Sequence, residues 1–525
     1  MTPPAADPAT AGPGGIADLA VVGAGPAGLA AAVRAAALGL TVTLLDAGER
    51  PGGQFHRHPA PGLGAARPQA LHHGWRDFTG RLRRLAAGPV THLPRHHVWS
   101  VVRAGAHWRL HAVATPGFGD APATATEVTG PDPDPGPDPG PDPGHGPGPR
   151  DPGEPPAGEA PVTVDARAVL LATGTYERPL PFPGWTLPGV IGAGGAQAML
   201  KSHLVLPGRR IVVAGSGPLL LAVAGSLTAA GARVPAVVEA AGRTAYGRTL
   251  PALLRAPAKL AEGARYGGAL LRHGTRLLTR HAVTAAHGTT RVEAVTVTRL
   301  DQDWRPVPGM GRRIPCDALA VGHGLVPQLD LATGLGCATR RTADDTLALV
   351  VDASQATSVP GVWAAGETCG VGGADLAAVE GELAADAIAH TLRGLPRDAR
   401  RTAALTRRRA RLRAFADALA AVHRPGPGWA AWLDDTTEVC RCEEVTAGEI
   451  RTAVTGYGAL DARSVKLLTR AGMGWCQGRM CGPAVARLTG RPPAPDRRPL
   501  SCPVPLRHLA ALPASPRPAS EEPEA

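Results

Sequence analysis

Aromatic residues and lysine are both scarce in this chain. Phe, Trp and Tyr make up 3% of its 525 residues, and lysine occurs only at Lys201, Lys259 and Lys466. So few rings leave no stacking platform for nucleic-acid bases. With no RNA- or DNA-binding motif either, the formal charge of +11 is not a nucleic-acid signature. The positive residues are nearly all arginine and accompany abundant Ala, Gly and Pro, the bias of a GC-rich coding sequence. Single arginines therefore carry little functional weight. Cysteine is limited to 8 residues, unevenly spaced, which in a chain this long excludes a secreted disulfide scaffold. No HExxH or GxSxG motif is present. The first residues lack a basic n-region and an apolar h-region, so no signal peptide is expected. Long hydrophobic runs are absent except at 211–232, which is uncharged over 22 residues. Its glycines and Ser216-Gly217-Pro218 fit a buried strand, a tight turn and a helix better than a membrane span. A cytoplasmic protein with no membrane span is expected.

What remains has the length of two or three domains. Residues 1–17 read as a disordered tail. Strand, glycine turn, helix and strand follow from Asp18 to Asp46. The segment 115–161 contains PDPDPGPDPGPDPGHGPGP, which offers almost nothing to bury and reads as a disordered insertion. Ordered patterning resumes at Val162. The expected division is a first dinucleotide-binding domain over 18–204 and 326–398, and a second over 205–325. A basic helical linker over 399–435 follows, then a cysteine domain over 436–490 and a Pro-rich tail over 491–525. The linker has Leu405, Leu412, Phe415 and Leu419 on one face, and its arginines read as a solvated face.

The glycine turn Gly23-Ala-Gly25-Pro-Ala-Gly28 lies between a strand and an Ala-rich helix. Gly23 makes the turn, Gly25 admits a pyrophosphate and Gly28 lets helix and strand pack closely. The helix N-terminus supplies free N–H groups and a positive dipole end. Asp46 ends the next strand, 18 residues after Gly28, where an acid can bond a ribose hydroxyl. A second strand–turn–helix signal stands at Gly215-Ser-Gly217-Pro-Leu-Leu220, with Glu239 ending its following strand. Leu220 occupies the third glycine position and should hold the helix off the strand. This second fold therefore either binds NAD(H), holds an adenine nucleotide or keeps the fold without a ligand.

Three further segments resemble the FAD-binding domain of the two-dinucleotide-domain flavoproteins, the glutathione-reductase-like superfamily. They are Pro51-Gly-Gly53-Gln54, Leu171-Ala-Thr173-Gly174 and Val362-Trp-Ala-Ala-Gly366-Glu367. The resemblance implies that Gly366 and Glu367 face the ribityl and pyrophosphate part of FAD, and that the helix after them points at the isoalloxazine. Glu367 stands where that family usually has Asp. No CxxC or CxxxxC pair accompanies the flavin loops, so electrons should not leave through a protein dithiol. Cys369 reads as a small packed residue. His56, His58 and His323 are available acid–base groups, but no residue is assigned as catalytic.

The remaining signal is a set of four cysteines. Cys440-Arg-Cys442 is followed, after 33 residues, by Cys476-Gln-Gly-Arg-Met-Cys481. Two close pairs of thiolates are what a [2Fe–2S] rhomb requires, because each iron takes two protein sulfurs. Spacing alone also admits a structural zinc site. Thr446 and Glu449 carry the capping-box pattern that starts a helix between the pairs. Cys440-Arg-Cys442-Glu-Glu and Lys466-Leu-Leu-Thr-Arg470-Ala-Gly-Met-Gly-Trp-Cys476 closely resemble the bacterioferritin-associated-ferredoxin-like [2Fe–2S] domain. The likeness is sharpest to the version fused behind a flavoprotein. That fusion typifies FAD subunits of opine oxidases, hydrogen cyanide synthase and dye-linked proline or hydroxyproline dehydrogenases. It covers the chain except residues 1–17, the insertion and the tail.

The resemblance implies an α/β fold of two dinucleotide-binding (glutathione-reductase-like) domains with a small, mostly helical C-terminal [2Fe–2S] domain. It implies FAD and a cluster held by Cys440, Cys442, Cys476 and Cys481. It further implies an electron-transfer subunit of a multi-subunit dehydrogenase or oxidase acting on CH–NH or CH–NH2 donors. Its expected partners are an amine-oxidase-like flavoprotein subunit and a small ferredoxin-like subunit. Two other readings stay open at this stage: a self-sufficient NAD(P)H-dependent flavin oxidoreductase feeding its own cluster, and a zinc-stabilised scaffold without a redox role.

Overall fold

The computed structural model describes residues 15–72, 74–114, 161–491, 494–495, 498, 500–510 and 512. The expected N-terminal tail and the Pro-Gly-Asp insertion lie outside these residues, apart from their last positions. Pro161, counted with the insertion, opens a strand instead.

Two sheets, one mixed and one parallel, organise the molecule. In the first, the strands Val90–Pro94, Val42–Asp46, Ala17–Val22 and Pro161–Leu171 lie side by side in that order. Leu19, Ala20 and Val21 are all fully buried, the unbroken apolar run of a parallel strand covered on both faces. Pro161–Leu171 serves three neighbours along its length. Its first half runs antiparallel to His107–Ala114, which pairs in turn with His96–Ala104. Its second half runs parallel to Ala17–Val22 on one side and to Val362–Ala364 on the other. Helices Pro26–Ala37 and Ala374–Arg393 cross on one face of this sheet. A Cβ at Gly381 would collide with the Ala27 carbonyl, so only glycine permits that approach.

The second sheet has the order Arg276–Thr279, Ala236–Glu239, Ile211–Gly215, Ala318–Gly322, Val190–Gly192, parallel throughout. Its last strand corrects the expected start of this domain at 205. Val190–Gly192 and the following helix Ala193–His203 already belong to it, because Val190 pairs with Leu319 and Ala193 packs in its core. The apolar run at 211–232 resolves into the strand Ile211–Gly215 and the helix Leu219–Ala229. Among the described residues no helix is long and apolar enough to cross a membrane. An antiparallel three-stranded sheet, His281–His287, Ala294–Leu300 and Pro306–Pro315, completes this half.

The helix Ala399–Val422 is capped by the Asp398 carboxylate, which accepts the Arg401 N–H. Its arginines depart from the expected solvated face. Arg409 and Arg413 reach Glu380 at 3.2 and 2.8 Å. Arg401 reaches Glu382 at 2.6 Å and Asp386 at 3.5 Å. All three acids lie on the helix Ala374–Arg393, so one side of the basic helix is a charge-matched inner face. The arginine bias of the composition hides this.

The cysteine domain is a short hairpin, Glu438–Cys440 with Val445–Thr446, and the helices Ala447–Thr455, Ala462–Thr469 and Gly482–Leu488. The capping box at Thr446 and Glu449 forms as its sequence suggests. Trp429, Trp432 and Val439 pack with Trp304, Leu300, Ala282 and Leu180, which docks this domain on the second half. Part of the C-terminal tail also packs. Cys502 is buried against Trp99 and Val113, and the Ser501 hydroxyl donates to the Val98 carbonyl at 3.0 Å.

Candidate cofactor and electron-transfer site

The first nucleotide turn sits at the carboxyl edge of the first sheet, where ligands of open α/β sheets bind. A Cβ at Gly28 would collide with the Gly23 carbonyl, whereas the space over Gly25 is open. That difference separates a packing glycine from one that leaves room for a phosphate. The helix Pro26–Ala37 starts at Gly25 with no side-chain cap, so its free N–H groups face that space. Asp46 accepts the Ala24 N–H at 3.0 Å and the Gly48 N–H at 2.9 Å. Burial raises its pKa despite those two bonds. Gly53 abuts Gly25, and Gly366 abuts Ala27. Thr173 and Gly174 follow the strand Pro161–Leu171; the Thr173 hydroxyl donates to the Gln328 carbonyl at 2.8 Å, and the Gln328 N–H donates to the Gly174 carbonyl at 2.9 Å. Thus Gly23, Gly25, Gly28, Asp46, Gly53, Thr173, Gly174 and Gly366 meet at one edge, and the cradle fits FAD. Gln54 is exposed, and its side-chain Oε1 accepts Arg57 Nε at 2.6 Å.

Glu367 uses its extra methylene. Its carboxylate accepts the Thr175 hydroxyl at 2.8 Å and the Gly373 N–H at 3.4 Å. Burial raises its pKa, opposed by those bonds. Behind it, fully buried Glu380 accepts the Gly366 N–H at 3.0 Å and so fixes the turn that carries Glu367. Sequence inspection misses Glu380, since an acid inside an Ala-rich helix carries no motif. It also misses Glu177, which lies in a hollow between Gly192, Gly194 and Gly322 and accepts the Gly194 and Gly195 N–H groups at the helix start. Burial raises the Glu177 pKa.

The second turn differs. Glu239 accepts the Gly217 N–H at 3.0 Å and the Ala241 N–H at 2.8 Å, much as Asp46 does in the first. A buried side chain from outside this domain then engages the same acid. His423 Nδ1 lies 3.2 Å from the Ser216 hydroxyl and 3.4 Å from Glu239, and its Nε2 lies 2.9 Å from the Tyr246 hydroxyl. Burial pushes the Glu239 pKa up, but the His423 bond and charge with the two N–H groups outweigh it and leave it lowered. Gly215, Gly217 and Glu239 are therefore assembled, with the acid at the place of Asp46 already engaged by the chain itself. Leu220 is buried in the core of this half.

Of the available histidines, His323 is buried between Trp304 and Trp432, and burial drives its pKa to about 3. A ring held neutral and packed beside two indoles is a packing group. His56 stacks on Phe78 with centroids 4.4 Å apart, and His58 packs edge-on to Trp75. Cys369 is buried, and burial lifts its thiol pKa to about 12.

The four cysteines of the C-terminal domain come together across the two loops. Cys442 is close enough to Cys476 and Cys440, and Cys481 to Cys440 and Cys476, for the thiols to influence one another. Burial and the neighbouring thiols raise the Cys481 pKa. Among the described residues no three His, Cys, Asp or Glu side chains close round a single ion. Four convergent thiols are the donor set a [2Fe–2S] rhomb takes, two sulfurs to each iron. Cys440 and Cys481 are buried and Cys442 is exposed, so the site has an inner and an outer edge. Its surroundings tie it to the rest of the chain. The Arg441 guanidinium lies over the Trp185 ring at 5.4 Å, and the Trp185 N–H donates to the Glu438 carbonyl at 2.6 Å. Arg479, between Cys476 and Cys481, pairs with Asp330 at 3.1 Å.

Comparison with known proteins agrees with this geometry. The pyridine nucleotide-disulphide oxidoreductase family model matches residues 17–391, and the BFD-like [2Fe-2S] binding domain matches 438–489. The HcnB subunit of hydrogen cyanide synthase from Pseudomonas aeruginosa is 33% identical over 482 residues, covering 90% of this chain and 93% of that one. An opine oxidase subunit of Agrobacterium tumefaciens is 32% identical over 493 residues, covering 90% and 85%. The crystal structure of L-proline dehydrogenase from P. horikoshii shares the fold, with a TM-score of 0.60 at 17% identity over 94% of this chain and 79% of that one. FAD and a [2Fe–2S] cluster are the cofactors of this chain, which belongs to the pyridine nucleotide-disulphide oxidoreductase family, extended by a BFD-like [2Fe–2S] binding domain.

Proposed function

We propose that this chain is the electron-transfer subunit of a multi-subunit dehydrogenase or oxidase for amino acids, opines or related secondary amines. In this reading an amine-oxidase-like flavoprotein subunit oxidises the C–N bond, and this chain passes the electrons on. The cofactors divide the labour: FAD accepts electrons in pairs, and the cluster carries them singly. The chain supplies position. Gly25, Asp46, Gly53, Gly174 and Gly366 would hold FAD, and Cys440, Cys442, Cys476 and Cys481 would hold the cluster.

The observation that carries the reading is the link between the two sites. Arg479 in the cluster loop pairs with Asp330, two residues after Gln328. Gln328 is bonded to both Thr173 and Gly174 of the FAD cradle. One ion pair and two hydrogen bonds thus join the cluster loop to the flavin edge. The outer edge supports a docked partner. Trp475, next to Cys476, is 84% exposed, and Leu467 on the adjacent helix is 69% exposed. Such apolar groups beside an exposed ligand mark an interaction surface. The engagement of Glu239 by His423 weighs against a self-sufficient NAD(P)H-dependent reductase. Stopped-flow absorbance tests the choice: the flavin should stay oxidised with NADH alone and bleach with an amine substrate plus the partner subunit. Rapid bleaching by NADH alone overturns the proposal.

A further inference from the structure

A cavity of about 180 Å³ opens between the segment 59–71 and the end of the helix Ala193–His203. Its wall is mostly apolar, with Pro59, Leu71 and Leu204, and it contains no acid. Lys201 projects from the helix into this wall and is only 6% exposed. Its ammonium donates to the Phe55 carbonyl at 3.4 Å and lies 5.9 Å from the Phe55 ring. Among the described residues no carboxylate pairs with it. Lys259 shows the contrast, bonded to Glu262 at 3.1 Å and Asp375 at 2.7 Å. A buried cation normally has a counter-ion, because desolvating it alone is costly. Here burial lowers the Lys201 pKa to about 8, which still leaves it mostly protonated at neutral pH. Beside it, His72 Nδ1 is buried without a partner, and burial with the charge of Lys201 pushes that imidazole down to about 3. Exposed Arg67 stands at the mouth.

We propose that this cavity binds a small organic carboxylate, with its charged end on Lys201 and its apolar body against Pro59, Leu71 and Leu204. The volume suits a molecule of amino-acid size, and the apolar wall suits an alkyl carboxylate better than inorganic phosphate. The inference is independent of the electron-transfer reading, since the cavity and its unpaired cation stand whether or not the chain serves amine oxidation.

Ligand-observed NMR on the cofactor-loaded full chain tests it, with isobutyrate, its uncharged isostere isobutyramide, and inorganic phosphate as probes. Isobutyrate should bind and isobutyramide should not. Lys201→Met should weaken isobutyrate about tenfold or more, the loss expected for one charge-assisted hydrogen bond, while Lys201→Arg keeps part of the affinity. Flavin and cluster absorbance report whether each variant is folded. Equal binding of acid and amide, unchanged binding by a folded Lys201→Met, or phosphate binding tighter than isobutyrate would each overturn the proposal. Bleaching of the flavin by NADH would sink the function proposed above and leave this one standing.

Discussion

Glu380 offers the sharpest test of how the flavin cradle is held. It is fully buried, and one oxygen accepts the Gly366 N–H at 3.0 Å. The other accepts Arg413 at 2.8 Å and Arg409 at 3.2 Å. Glu380→Ala removes the countercharge from two partly buried guanidiniums and leaves the Gly366 N–H without its partner. Breaking a buried ion pair from one side costs about 3–5 kcal/mol, and the orphaned amide accounts for roughly 1–3 of it. Arg413 keeps the Gly370 carbonyl at 2.7 Å, which places the loss at the lower end of that range. Against a typical stability of about 5–15 kcal/mol this is a large fraction. The damage should centre on the turn bearing Gly366 and Glu367, so FAD should be lost before the fold. Glu380→Gln keeps an oxygen for Gly366 and should cost about half as much. Urea unfolding gives the stability, and the flavin-to-protein absorbance ratio gives retention. If Glu380→Ala unfolds at the wild-type midpoint with full FAD, the ion-pair account of this cradle is wrong.

Cys481→Ser should abolish the S = 1/2 EPR signal of the dithionite-reduced protein and leave FAD bound; an intact signal would remove Cys481 from the ligand set. Acid should act on the second fold through Glu239. Its folded pKa lies below the ordinary 4.5, so its contribution is present above that value and lost as pH falls through the depressed one. His423→Ala should flatten the acid limb of an unfolding-midpoint profile below about pH 4.5, and an unchanged limb would refute the pairing. Trp475→Ser should leave both cofactor spectra intact yet weaken partner binding by roughly 1–3 kcal/mol, read by calorimetry as about a fivefold or greater rise in Kd.

Much of the plan is legible in the chain because glycine turns and cysteine pairs impose geometry locally. Gly23 to Gly28 needs only its own strand and helix to make a turn, and Thr446 caps its helix with Glu449 three residues on. What escapes is what depends on distant partners. Glu380, Glu177 and His423 take their roles from residues 14 to 207 positions away. The same holds for the basic helix: nothing local marks Arg409 and Arg413 as different from Arg407 and Arg408. Patterning places the start of the second domain too late because Val190–Gly192 is a three-residue strand, too short to show a period.

The helix Ala399–Val422 has a mechanical consequence. At 24 residues it is about 36 Å long. It is bolted to the first half through Glu380 and Glu382, and His423 at its far end is lodged in the second half. It acts as a strut, so the two halves cannot swivel about their connecting strands without tearing His423 from its socket or Arg413 from its anchor. A flavoprotein that must turn to reach successive partners would be crippled by such a brace. One that wires a stationary cofactor to a stationary cluster gains a conduction path of fixed length.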